Sequence, residues 1–247
     1  MDDHAPLELS ADDSFQFACH PQVPCFNQCC ADLVQFLTPY DILRLRQGLG
    51  LTSTEFLARH TRHQTGGGTG LVIVSLRRES PDDARCPFVT ADGCGVYDHR
   101  PSSCRAYPLM RLVSRSRETG LMQERYFLLR EDHCLGFHQG RTQTVRQWIE
   151  DQGLAEYNRM NDLMLDLISA KNRLAPGKSL SLAEANIFYT GCYDLDRFRK
   201  EILESGRAAE AGLSDVEITA AGRDDRALLA LALIWTQRML FPEKREA

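Results

Sequence analysis

The pattern of apolar positions changes character after residue 134. Over 154–174, Tyr157, Met160, Met164, Leu167 and Ile168 recur at helical spacing, which predicts a long helix with one buried stripe. Ala175-Pro176-Gly177 breaks it, and 144–152, 181–190, 194–205 and 224–241 read as further helices. Before residue 134 the signals are shorter and mixed. Residues 39–49 predict a helix that Thr38 caps, Pro39 starts and Gly48 and Gly50 end. A second helix is predicted over 53–63, because Thr52 and Glu55 have capping-box spacing. The run LVIVSLR over 71–77 reads as a strand, and 110–117 with 121–130 as a hairpin around Glu118-Thr119-Gly120. Residues 86–96 are turn-rich with short strands, 14–38 are expected to be irregular around Pro21 and Pro24, and 1–13 to be a loose tail.

These elements predict an α+β protein. Its N-terminal half would be irregular and cysteine-rich, with helices and a small antiparallel sheet, and its C-terminal half helical. The expected division is a tail over 1–13, a metal-binding domain over 14–140 and a helical region over 141–247.

Composition adds bounds. With 247 residues and 43% hydrophobic content, the chain can build a sizeable core without disulfides. The net charge of −5 argues against a dedicated nucleic-acid binder. Arginine outnumbers lysine 25 to 4, and residues 100–130 hold seven arginines against two glutamates, a balance expected on a solvated hairpin face. The longest apolar run, 227–235, is too short to span a bilayer, and the acidic N-terminus lacks the apolar core of a secretory signal. A soluble cytoplasmic protein with no membrane partner is expected. The run Gly66-Gly67-Gly68-Thr69-Gly70 resembles a phosphate loop, but it lacks the Gly-Lys-Ser/Thr ending and precedes a strand; it reads as a flexible turn. No Ser motif, H-E-x-x-H, Rossmann fingerprint or nucleophile–base pair is present, so no catalytic residue is assigned.

The cysteines carry the chemistry. Eight of the nine lie in the first 134 residues: Cys19, Cys25, Cys29 and Cys30 in one clump, Cys86, Cys94 and Cys104 in a second, and Cys134 alone. In a reducing compartment such clustering favours metal ligation over disulfides. Thiolates suit zinc, copper(I) and iron–sulfur clusters. Eight would satisfy two four-ligand sites, or one cluster plus one structural ion. The spacings match neither the zinc ribbon nor the bacterial ferredoxin run, so the metal stays open. Cys29 and Cys30 are adjacent, and their side chains are expected to diverge, so that the pair serves two centres or one member is a redox or packing thiol. Cys104 is expected in a first helical turn, where the helix dipole favours a thiolate. His20, His99, His133 and His138 are expected as surface or supporting groups. Arg100, Arg105 and Tyr107 surround Cys104 and are candidate cofactor-contacting residues, the arginines offsetting thiolate charge. Cys192 is expected to be a packing thiol.

The order Cys-Pro-Phe, Gly-Cys, Tyr-x2-Arg-Pro-x2-Cys-Arg-x-Tyr-Pro over 86–108, with LTPYDILRLRQGLGLTSTEFL over 37–57 and the clump ending in Cys29-Cys30, resembles the YkgJ-type cysteine-cluster family. That family is described as zinc- or iron-chelating and often as iron–sulfur proteins. The first gap, Cys19-x5-Cys25, is longer than the family's compact form. The segment YDLDRFRKEILES over 193–205 resembles helical extensions of some members. The resemblance implies an iron–sulfur cluster, of the 4Fe-4S type, or zinc. It implies a role in electron transfer, redox sensing or metal handling with a protein redox partner. A related branch, the flagellin lysine N-methylases, implies an alternative: methylation of a protein substrate with S-adenosylmethionine. A zinc-stabilised interaction module is the third expectation, and whether the chain is an enzyme stays open.

Overall fold

The computed structural model describes residues 6–32, 34–78, 80, 82–116 and 119–242. The architecture is α+β, with small antiparallel sheets and with helices concentrated in the C-terminal half. The chain forms two compact units. One takes Met1–Val34 and Arg78–Asn158, the other Gln35–Arg77 and Arg159–Ala247. Contacts therefore divide the chain at three points, whereas the linear reading placed boundaries after residues 13 and 140. The reason is visible in two ties: the Tyr193 hydroxyl donates to the Val72 carbonyl at 3.2 Å, and Ser53 Oγ to Asp194 at 2.8 Å. Both bind residues 35–77 to the later helices.

The first unit is built on the expected hairpin, Leu109–Arg115 against Met122–Leu128, in register from Leu109↔Leu128 to Arg115↔Met122. Arg117 and Glu118, expected at its end and turn, lie outside the described residues, as do residues 1–5. The rest of the predicted tail is partly structured, since Leu7–Leu9 adds a third strand beside Met122–Leu128. Ser14–Gln16 likewise pairs with Thr142–Thr144 inside a stretch expected to be irregular. Phe15 and Phe17 drive this. They alternate with polar residues and bury with Leu109, Tyr126, Leu128 and Val145 in one apolar cluster. Trp148, on the helix Val145–Asp151, meets Phe17 edge-on at 5.7 Å and donates to the Ala106 carbonyl at 2.9 Å.

The second unit is helical around a small sheet in which Val72–Leu76 lies between Phe36–Leu37 and Thr61–Thr65. Pro39–Leu49 and Ser53–His60 each begin with a complete capping box, from Thr38 with Asp41 and Thr52 with Glu55. The second helix stops three residues short of expectation because Thr61–Thr65 pairs along its whole length with Val72–Leu76. The glycine run between these strands is a turn. Gly70 has φ +66°, and a Cβ there would sit 2.6 Å from the Lys178 carbonyl oxygen, so only glycine fits. The segment expected as one helix from 194 starts as Leu195–Phe198 and opens into a π-helical turn, Arg199–Leu203. Asp215–Arg223 was unforeseen, although Ser214 and Glu217 carry the capping-box signal. Asp225–Leu240 closes the core with Leu228, Leu229 and Trp235, and Arg46 bridges Asp225 at 2.5 Å and Asp196 at 3.7 Å.

No described helix is long and apolar enough to cross a membrane.

Candidate metal centre

Pro21 and Pro24 prevent a regular helix in the first cysteine loop, and the backbone folds into successive tight turns. Val23 N–H donates to His20 O at 2.9 Å, Phe26 N–H to Val23 O at 2.8 Å, and Gln28 N–H to Cys25 O at 3.0 Å. The loop ends in a 3-10 turn, Gln28–Cys30, entered through Asn27 at φ 69°. The sulfurs of Cys29 and Cys30 lie 4.0 Å apart, which corrects the expected divergence. Each sulfur is placed by a single torsion, about its Cα–Cβ bond, and that freedom lets the two approach despite the turn.

The second loop is stitched to the first. Cys86 N–H donates to the Cys30 carbonyl at 2.8 Å, and the Asn27 amide to Thr90 O at 3.1 Å. Cys86 opens a turn closed by Val89 N–H on its carbonyl at 3.1 Å. The chain then forms the two-residue hairpin Val89–Thr90 with Gly93–Cys94, which sets Cys94 opposite Val89. Cys104 lies, as expected, near the start of a short helix, Ser102–Ala106.

Cys134 meets the first loop from the other side. Leu135 N–H donates to the Cys25 sulfur at 3.1 Å, and Ala18 N–H to the Gly136 carbonyl at 3.1 Å. This approach needs Gly136: a Cβ there would fall 2.6 Å from the Ala18 carbonyl oxygen. The Tyr107 hydroxyl is buried beside Cys134 and Glu131, yet meets neither in full hydrogen-bond geometry. Burial first, and these neighbours second, hold that phenol protonated.

The thiols sense one another. Burial raises Cys19 to about 11, reinforced by Cys29, Cys25 and Cys134. The Cys30 thiol lowers Cys29 to about 6 by hydrogen bonding to its thiolate, with His133 adding a smaller pull, while Cys30 itself is raised. Cys86 is raised by burial and then by Cys94 and Cys29. The pair at 29–30 thus tends to hold one proton between two sulfurs.

Arg100 is 7% exposed and donates to Tyr97 O at 2.6 Å and Gln152 Oε1 at 2.5 Å, with its guanidinium 3.7 Å from the Tyr97 ring centroid. It remains within electrostatic reach of Cys94 and Cys104. Arg105 spends its guanidinium on the carbonyls of Gln152 and Asp98, both at 2.8 Å. Gln152, which anchors both arginines, carried no sequence signal. Of the histidines, His20 bonds Gln22 at 2.8 Å, and His133 lies near Cys29 and 3.8 Å from Glu131. Cys192 is fully buried in the second unit, and burial raises its pKa, as suits a packing thiol.

All eight candidate cysteines therefore fall within one unit, in three segments of which the first hydrogen-bonds to each of the others. Among the described residues, no three His, Cys, Asp or Glu side chains are already drawn together as a formed metal site. The donor set itself, thiol-rich and served by a backbone amide on sulfur, suits a soft or borderline metal.

Residues 18–135 match the model of the CxxCxxCC family, described as "Putative zinc- or iron-chelating domain". No curated protein and no solved structure matches the chain.

Proposed function

Because residues 18–135 are a domain of the CxxCxxCC family, we propose that this unit holds a cysteine-ligated iron–sulfur cluster and that the protein serves redox transfer or metal handling in the cytoplasm. The observation that carries the reading is the gathering of Cys19, Cys25, Cys29, Cys30, Cys86, Cys94, Cys104 and Cys134 into three segments, the first of which hydrogen-bonds to each of the other two. Such a cluster would supply one-electron chemistry, with a potential set by net charge, hydrogen bonds to sulfur and exposure. This chain's own residues provide those controls. Leu135 N–H is aimed at the Cys25 sulfur, the Tyr107 hydroxyl stands beside Cys134, and buried Arg100 offsets thiolate charge near Cys94 and Cys104. Arg105 supports this arrangement by donating to the backbone carbonyls of Gln152 and Asp98.

One distance favours a second reading, zinc. Two thiolates about 2.3 Å from one tetrahedral ion lie about 3.8 Å apart, close to the 4.0 Å between Cys29 and Cys30. Anaerobic purification followed by metal and sulfide analysis separates the two. Brown protein containing iron and acid-labile sulfide, with visible absorption that bleaches on reduction, is expected. Colourless protein with stoichiometric zinc would replace the first reading by the second.

A further inference from the structure

The first cysteine loop ends in a pair of sulfurs, not a set of four. Cys29 and Cys30 hold their sulfurs 4.0 Å apart. Among the described residues, no group of three or more His, Cys, Asp or Glu is arranged to hold a metal ion. The backbone under the pair is fixed without using either thiol. Cys30 N–H donates to Asn27 O and Ala31 N–H to Gln28 O, both at 3.0 Å. From the second loop, Cys86 N–H donates to Cys30 O at 2.8 Å, and Thr90 O accepts from the Asn27 amide at 3.1 Å. Cys29 is exposed and Cys30 half-buried, so the pair is open to an ion from solution.

We propose that Cys29 and Cys30 form a two-coordinate site for copper(I). Coordination number decides between the ions that thiolates favour. Zinc takes four ligands, with sulfur at about 2.3 Å, and this pair supplies only two. Copper(I) is soft, has a filled d shell and is satisfied by two thiolates in a line. An ion midway between these sulfurs would stand 2.0 Å from each, so a small opening of the pair seats it. Each sulfur turns on its own Cα–Cβ torsion, which permits that opening while the backbone stays pinned. In binding, one copper(I) ion and two thiols give a bis-thiolate copper(I) anion and two protons, with no change of oxidation state. Disulfide formation competes poorly. Adjacent Cα atoms are about 3.8 Å apart, shorter than the roughly 4.4–6.8 Å that disulfides usually span, so closing that bond would strain it.

The inference rests on the metal-handling side of the proposed function and names its cargo. Reduced, metal-free, full-length protein is titrated anaerobically with copper(I) held by the chromogenic chelator bicinchoninate. The chain is expected to withdraw a first equivalent, and X-ray absorption at that loading to show copper with two sulfur neighbours. Alkylation with mass mapping at the same loading should find Cys29 and Cys30 shielded, while Cys94, Cys104 and Cys134 react as in the metal-free chain. Cys29→Ser and Cys30→Ser should each weaken uptake of that equivalent by more than about tenfold, since losing even a group that merely supports a ligand costs roughly 10–100-fold. Three or four sulfur neighbours, shielding centred on other cysteines, or folded variants that take copper as the parent does would overturn the inference. Should a variant misfold, the sulfur count and the shielding of the unaltered chain decide. No copper uptake by a chain that binds zinc, or that rebuilds a cluster from iron and sulfide, would overturn it and leave the metal-binding reading standing. Binding of none of the three would remove both.

Discussion

The two units solve the same problem in opposite ways. The helical unit invests in local signals that agree with its packing. Four of its described helices start at capping boxes, and its core holds Phe56, Phe188, Phe198, Leu228 and Trp235, each at most 2% exposed. The cysteine unit concentrates its apolar core around Phe15, Phe17, Leu109, Tyr126, Leu128 and Val145, in strands and one helix start. The loops carrying the cysteines contribute little to that core and are held by turns, a two-residue hairpin and a few bridging hydrogen bonds. Backbone order costs about 1–2 kcal/mol per residue, and turns alone offset little of it. The difference teaches where the fold is self-sufficient and where it awaits a ligand: metal–thiolate bonds would supply what burial does not.

Removing metal should break the comparison most visibly. Structural metal sites contribute roughly 10–16 kcal/mol of apparent binding energy, as much as or more than the typical 5–15 kcal/mol that holds a whole domain. After chelation, amide exchange over 17–30 and 86–108 is expected to approach unprotected rates, while 182–192 and 225–240 keep their protection. Equal protection of the cysteine loops with and without metal would show that they are ordered by the chain alone.

The converse substitution lies in the helical unit. Phe198 is 0% exposed and packs edge-on against Trp235 at 5.4 Å. Phe198→Ala is expected to cost about 3–5 kcal/mol, through lost burial and the cavity left behind. Differential scanning calorimetry should show the loss, with zinc or iron content per chain unchanged. A variant as stable as the parent would mean that this core repacks without penalty.

Legibility followed the same divide. The helix starts at Thr38, Thr52, Thr144 and Ser181 were readable because capping is a local contract between a side chain and an amide three residues on. Helix ends set by distant partners were not. Nothing before residue 60 announces that Thr61–Thr65 will pair with Val72–Leu76. Leu7–Leu9 and Ser14–Gln16 were hidden for the same reason, being three-residue strands whose partners lie more than 100 positions away. At the candidate centre, the cysteines and Tyr107 were visible as chemistry. Their arrangement was not, because Asn27, Gly136 and Gln152 act through backbone contacts that no motif records. The adjacency of Cys29 and Cys30 misled, since sequence order constrains Cβ positions but leaves the sulfurs free to turn together.

That pair gives the smallest expected effect and the sharpest. In metal-free protein the Cys30 thiol stabilises the Cys29 thiolate, lowering Cys29 from the usual 9.0 to about 6 and raising Cys30 in return. Cys29 is exposed, so a small alkylating reagent can reach it. Its alkylation rate should rise with a midpoint near pH 6, whereas an ordinary thiol rises only toward about 8.5. The stability sign follows from the same shift. A thiol whose folded value is depressed contributes stability in full above its unfolded value, and loses it as pH falls through the folded one. Between pH 9 and 6 that contribution therefore shrinks. Cys30, raised, works the other way: its contribution is complete below the free-thiol value and fades only as pH climbs above it. Near neutrality only Cys29 titrates differently between the folded and unfolded chain, so metal-free stability should fall together with Cys29 reactivity as pH drops from about 9 toward 6, and Cys30 opposes this only above pH 9. Cys30→Ala isolates the cause. With its donor gone, the Cys29 midpoint should climb back toward the free-thiol range, and a midpoint still near 6 would assign the shift to His133 and the local backbone instead.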